Sequence, residues 1–209
     1  SAGAAITSGA DNLAIGENAM LVHTTGSRNM AIGNFAMDDN DHHADTLASI
    51  DNVFIGYDSG GGTWATNDCN YNVGVGNYVL DGAMNGAVNN TAIGHISLSA
   101  ITTGYNNTAC GYKAGTAITT AAGNTAIGYQ ALTTSTDQSW NTAVGYGALG
   151  DMSTGGDGNN TAVGVNAGNQ ITEGARNTCV GKVAGAAITT GNNNVIVGYN
   201  SDSSSTGGD

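Results

Sequence analysis

The feature that most limits how this chain can fold is an internal repeat. The pattern Asn-x-x-apolar-Gly, with Ile, Val or Cys at the apolar place, occurs eleven times in 209 residues. Its asparagines are Asn12, Asn29, Asn52, Asn72, Asn90, Asn107, Asn124, Asn141, Asn160, Asn177 and Asn194. Its glycines are Gly16, Gly33, Gly56, Gly76, Gly94, Gly111, Gly128, Gly145, Gly164, Gly181 and Gly198. Successive asparagines are 17, 23, 20, 18, 17, 17, 17, 19, 17 and 17 residues apart, so the unit is 17 residues long and four units carry insertions. Self-similarity at a fixed short period marks a stack of units that each bury a face against the next.

The columns of the repeat turn it into geometry. The place before each Gly is apolar in all eleven units, from Ile15 to Val197. Two places earlier stand Leu13, Met30, Val53, Val73, the six threonines Thr91, Thr108, Thr125, Thr142, Thr161 and Thr178, and Val195. Strand side chains alternate faces, so these two columns share one face, and the small or apolar residue between them lies on the other. The pattern is that of a strand covered on both sides, and the Ile/Val and Thr columns are expected to point inward. A further apolar column, Ile101, Ile118, Met152, Ile171 and Ile188, falls seven residues after the Gly and leads into Thr-Thr-Gly or a relative of it. It predicts a second short strand, and with it a parallel β-solenoid of about eleven coils, each of two strands and two turns, on the order of 50 Å long at about 4.8 Å per coil.

Composition agrees with such a stack. The 34 Gly supply positive φ at turns. Asn can take left-handed angles at a corner and can stack its amide in ladders. Pro is absent, as expected where most N–H groups donate to an adjacent coil. Two Phe and two Trp are too few for a thick core. The net charge of −12 excludes an ordinary nucleic-acid binder, which needs a basic footprint. No apolar run is long enough to cross a membrane as a helix. The chain reads as one repeat domain over residues 1–209, with insertion-rich coils at 29–89, regular coils at 90–200 and a polar end at 201–209. Ser1–Thr7 aligns with Val183–Thr189, so we expect a piece of a longer fibre.

The segments Asn124–Leu132 (Asn-Thr-Ala-Ile-Gly-Tyr-Gln-Ala-Leu) and Asn141–Leu149 (Asn-Thr-Ala-Val-Gly-Tyr-Gly-Ala-Leu) resemble the repeats of bacteriophage tail fibres and related surface fibres. They are also similar to the YadA-like head repeats of trimeric autotransporter adhesins. The resemblance covers nearly the whole chain. It implies a homotrimer of parallel β-rolls in an extracellular fibre, on a virion or a bacterial surface, that binds a cell-surface receptor such as a glycan.

Several residues stand out as candidate sites. Asp38, Asp39, Asp41, His42, His43 and Asp45 lie in the largest insertion and could hold a divalent cation, calcium by the carboxylates or a transition metal by the imidazoles; a solvated loop explains them as well, and no cofactor is required. Residues 1–81 carry ten acidic and one basic residue, net −9, against six and three, net −3, in 82–209. Trp64 and Trp140 precede repeat asparagines and could serve as recognition platforms or cover a seam between chains. Tyr57, Tyr112, Tyr129, Tyr146 and Tyr199 each follow a repeat Gly, which suggests a stacking ladder. Cys110 and Cys179 read as small core residues, and Cys69 as the thiol that reaches solvent. No catalytic constellation is evident, and an enzyme is not expected. Recognition is expected at residues 38–45 and 59–71, where insertions leave the stack intact. An ice- or crystal-surface-binding solenoid is the alternative that the threonine column raises, weakened if those threonines point inward. A glycan-binding or glycan-cleaving fibre domain is another.

Overall fold

The computed structural model describes residues 1–38, 48–65, 67–153, 155 and 157–202. Eleven three-residue strands follow one another: β1 Leu13–Ile15, β2 Met30–Ile32, β3 Val53–Ile55, β4 Val73–Val75, β5 Thr91–Ile93, β6 Thr108–Cys110, β7 Thr125–Ile127, β8 Thr142–Val144, β9 Thr161–Val163, β10 Thr178–Val180 and β11 Val195–Val197. They form one parallel sheet in chain order. The register is in phase throughout: Ala92 pairs with Ala109, Ala109 with Ala126 and Ala126 with Ala143. The described residues contain no α-helix. The fold is thus the parallel β-solenoid that the repeat predicts.

The repeat asparagine holds each coil to the next. Asn124 donates its backbone N–H and its Nδ2 to Asn107 Oδ1, at 3.0 and 3.2 Å, and its Nδ2 also to Gln138 O at 3.0 Å. Its own Oδ1 accepts from Asn141 N and Nδ2 at 2.9 and 3.2 Å. A carboxamide offers two donors and two acceptor lone pairs, and here all four are used. The ladder runs unbroken from Asn12 to Asn194, crossing the 23-residue unit at Asn29 to Asn52 without a gap. The nine amides between Asn29 and Asn177 are buried.

Left-handed backbone falls one residue before the asparagine instead of on it, at Arg28 (φ 59°), Asn106 (φ 58°) and Trp140 (φ 64°). The Asn is therefore selected for its side chain, and the corner is turned by its predecessor. At the other corner the repeat Gly has φ between 126° and 142°, a region essentially restricted to Gly. A Cβ on Gly128 would also stand 2.4 Å from Gly145 O.

Two expectations about the columns are corrected. The Ile/Val and Thr columns point outward; the middle residue of each strand points in. Ala31, Ala92, Ala109, Ala126, Ala143 and Ala162 are buried, while Ile127 is 40% exposed and Ile15 52%. Asn and Ala are two residues apart and share parity, so burying the amide ladder fixes which face is inside. From β5 to β9 the inward place holds Ala alone, and the interior is filled from the turns by Leu98, Leu132 and Leu149. In the insertion-rich coils Phe54 takes the Ala place, and Gly60 and Gly74 make room for it: a Cβ on either would lie 2.7–2.8 Å from the Phe54 ring.

The second apolar column is buried as expected, with Ile101, Ile118, Met152, Ile171 and Ile188 in the core. It is not a strand. The N–H groups of Thr102, Thr103 and Gly104 all converge on Thr119 O, at 2.9, 3.2 and 3.0 Å, and Thr172, Glu173 and Gly174 converge in the same way on Thr189 O. One carbonyl serving three successive donors makes a tight bend, since an extended ladder would need a carbonyl for alternate residues.

Asn124→Ala would remove four buried hydrogen bonds, at about 0.5–1.5 kcal/mol each, and leave Asn141 N without an acceptor. We expect a loss of at least about 3 kcal/mol by urea denaturation, against less than about 0.5 kcal/mol for Asp137→Asn on the exposed surface.

Candidate recognition surfaces

The outward face of the sheet runs across all eleven strands. In-phase pairing aligns Ile93, Cys110, Ile127, Val144 and Val163 in one row and Thr91, Thr108, Thr125, Thr142 and Thr161 in another. All these side chains are exposed or half-exposed, and no outward position of the eleven strands is charged. The face carries aliphatic groups, hydroxyls, the Met30 thioether and the Cys110 thiol, with no charged side chain.

A second surface is aromatic. Phe35, Tyr57, Tyr78, His95, Tyr112, Tyr129 and Tyr146 follow one another along the rod, with neighbouring ring centroids 5.0–5.8 Å apart. The first contacts are edge-on; from His95 to Tyr146 the rings lie flat on one another, with interplanar angles of 6°, 20° and 5°. The tyrosine column thus forms the expected ladder, joined by Phe35, Tyr78 and His95. Tyr199 is not part of it and lies near Lys182 Nζ, 5.8 Å from its centroid. Stacked rings spend their faces on each other, so the ladder offers solvent mainly edges and hydroxyls.

Of the residues proposed for a cation, Asp38 is described, whereas Asp39, Asp41, His42, His43 and Asp45 lie outside the described residues. Asp38 is brought near Asp58 and Asp81, from the next two coils. Burial, reinforced by the charges of Asp58 and Asp38, pushes the Asp81 carboxyl up to about 7. The gathering joins two places of the unit, Asp58 standing six residues after its repeat asparagine and Asp38 and Asp81 nine. Among the described residues no group of three or more His, Cys, Asp or Glu side chains is placed to hold a metal ion.

The remaining candidates divide. Trp64 is 1% exposed and packs edge-on against Phe54, centroids 5.9 Å apart, so it is a core residue and no recognition platform. The insertion that bears it folds inward to cover the bulky Phe54. Trp140 is exposed and lies over Gly123 of the preceding coil, where a Cβ would meet its ring. The cysteines are exchanged relative to expectation: Cys69 is buried and Cys110 exposed, while Cys179 is buried as expected. Cys110 stands in the outward Ile/Val row, and Cys69 in a segment that closes over the core. Burial pushes the Cys69 and Cys179 thiols up to about 11. His23, not singled out by the sequence, is buried beside the amide ladder with its Nε2 3.1 Å from Asn29 Nδ2, and burial lowers its pKa.

No protein-family model, no curated protein and no solved structure matches the chain.

The raised carboxyl makes a pH prediction. With a folded pKa of about 7 against an unfolded value near 3.8, Asp81 binds its proton more tightly when folded, so stability falls as pH rises from about 4 to 7. His23 acts in the opposite sense, its contribution being lost as pH falls below 6.5. Asp81→Asn should melt higher than the parent at pH 8, with the difference narrowing toward pH 4; a difference independent of pH would contradict the assignment.

Proposed function

We propose that the chain is a structural and adhesive segment of an extracellular fibre, on a virion or a bacterial surface, in which three copies pack their outward sheet faces together and present turn-side surfaces to a cell. The observation that carries this reading is the uncharged outward strip. It runs the length of the eleven strands, is aliphatic in one row except at Cys110, and is covered by no element among the described residues. Contiguous apolar strips of this kind mark association surfaces. In-phase strands make the strip continuous, so copies can meet along the whole rod. The repeat's resemblance to tail fibres and adhesin heads supports the same arrangement.

A second reading is binding to ice or another crystal surface. It is favoured by the outward direction of the six threonines, which stand in register at about the 4.8 Å strand spacing. The two readings compete for the same face: packed against other copies, it is closed to a crystal.

Sedimentation at micromolar concentration separates them, a trimer supporting the fibre and a monomer with thermal hysteresis supporting the crystal binder. Cys110 gives a finer test, being the exposed thiol in the strip. Three Cys110 around a common axis should give, on mild oxidation, about two chains in covalent dimers for each chain left single. Cys110→Ser should abolish the crosslink. Ile127→Asp should lower the melting temperature in a concentration-dependent way in a trimer, and should change stability by less than about 0.5 kcal/mol in a monomer with that face in solvent.

A further inference from the structure

The turns that follow the repeat Gly carry a notch in the eighth coil. The residue two places after the Gly is Gln130 in the seventh coil, Gly147 in the eighth and Asn166 in the ninth. Three places further on stand Thr133, Gly150 and Asn169. In both columns the middle coil lacks a side chain that its neighbours have. The two gaps merge into a groove of about 230 Å³ that Gln130, Asn166, Tyr146 and Asp151 also line. It spans two coil steps, about 10 Å.

The walls are fixed by polar groups already in use. Thr134 Oγ1 lies 2.8 Å from Gly150 O and 2.6 Å from Met152 O, its one hydrogen shared between the two carbonyls, and Asn169 Nδ2 donates to Gly147 O at 3.1 Å. The side chains of Gln130, Asp151 and Asn166 make no hydrogen bond to any other described residue. The groove also adjoins the end of the aromatic stack. Tyr146 is the last ring because Val165 holds its place in the next coil, so the stack covers Tyr146 from one side only.

We propose that this groove binds one neutral pyranose ring, the terminal sugar of a glycan chain. Two carboxamides and a carboxylate offer donors and acceptors to vicinal hydroxyls, and an aromatic ring offers its surface to the sugar's C–H groups. Charge argues against an anion, since none of the four Lys and Arg lines the groove and Asp151 does. An apolar ligand would leave the three uncommitted polar side chains unsatisfied. The volume lies below the roughly 300–1,000 Å³ of pockets for drug-sized ligands, which fits one ring. This inference deepens the adhesive reading by naming what is recognised, yet it stands on residues of one chain, none of them in a strand. A failed trimer test therefore leaves the groove in place, and a failed sugar test leaves the fibre.

The test is saturation-transfer NMR on the full chain with the methyl pyranosides of glucose, galactose, mannose and N-acetylglucosamine at millimolar concentration. At least one should receive saturation from the protein. Gly147→Asn fills the notch and suits the backbone, because Gly147 has φ 60° and Asn166, at the same place in the next coil, has φ 53°; the new Cβ displaces only the end of the flexible Asn166 side chain. This variant should melt like the parent and lose the transfer. Asp151→Ala should weaken binding about tenfold, equivalent to about 1.4 kcal/mol, and Trp140→Ala should leave it unchanged. The proposal is overturned if no sugar gives transfer, or if a folded Gly147→Asn protein gives as much as the parent. Should Gly147→Asn fail to fold, Asp151→Ala decides, and undiminished binding there overturns the proposal.

Discussion

A carboxamide that spends every hydrogen-bonding group it has is the interaction on which this molecule rests. Each inner repeat asparagine accepts twice from the next and donates once to the previous amide and once to a carbonyl, in the following coil everywhere but at Asn141, whose second donor turns back to Gln138 O and Ser139 O, all out of water. No other side chain of this length does the same. Aspartate has no donors when ionised, and a buried row of them would repel; serine has one donor and cannot bridge. Because the amide must face inward, the Ala two residues later must too, and the threonine and aliphatic columns are left outside. The repeat Gly follows from the same stacking, as its Cβ would strike the carbonyl of the Gly above.

This explains what was legible from the residues and what was inverted. The period, the parallel stacking, the amide ladder, the tyrosine ladder and the buried column from Ile101 to Ile188 follow from spacing and residue type. The face of the strand was misjudged because large aliphatic residues were taken as the mark of the inside. In a roll whose regular coils hold Ala at the inward place, the larger aliphatic groups of the strand stand outside. Cys110 was misplaced with that column. Trp64 and Cys69 were misplaced for a different reason: an insertion was taken as a protruding loop, although Phe54 at an Ala position requires a cover. A turn lacking a strand ladder can still be written Thr-Thr-Gly, so the bend at Thr102–Gly104 was not separable from a strand.

The groove at Gly147 and Gly150 is a different kind of feature, because it consists of what two positions lack. Gly147 and Gly150 mean little along the chain, where Gly is common. They become informative when read down the columns beside Gln130, Asn166, Thr133 and Asn169. A solenoid can acquire a pocket by truncating a turn residue without disturbing the ladder, since the ladder residue is elsewhere in the unit. The charged gathering comes from three successive coils, Asp38 and Asp81 at the same place in their units and Asp58 three places earlier in the unit between them.

The direction of the coil-to-coil bonds has a mechanical consequence. They run along the rod, and the chain enters at one end of the stack and leaves at the other. A pull on the two termini therefore loads the amide rungs in series and opens them one at a time, instead of shearing many at once. Each 17-residue coil that peels away frees about 60 Å of extended chain at roughly 3.3–3.6 Å per residue, many times the height it occupied. A tether built this way yields by lengthening under tension, and it re-forms by zipping outward from whichever coils stay closed.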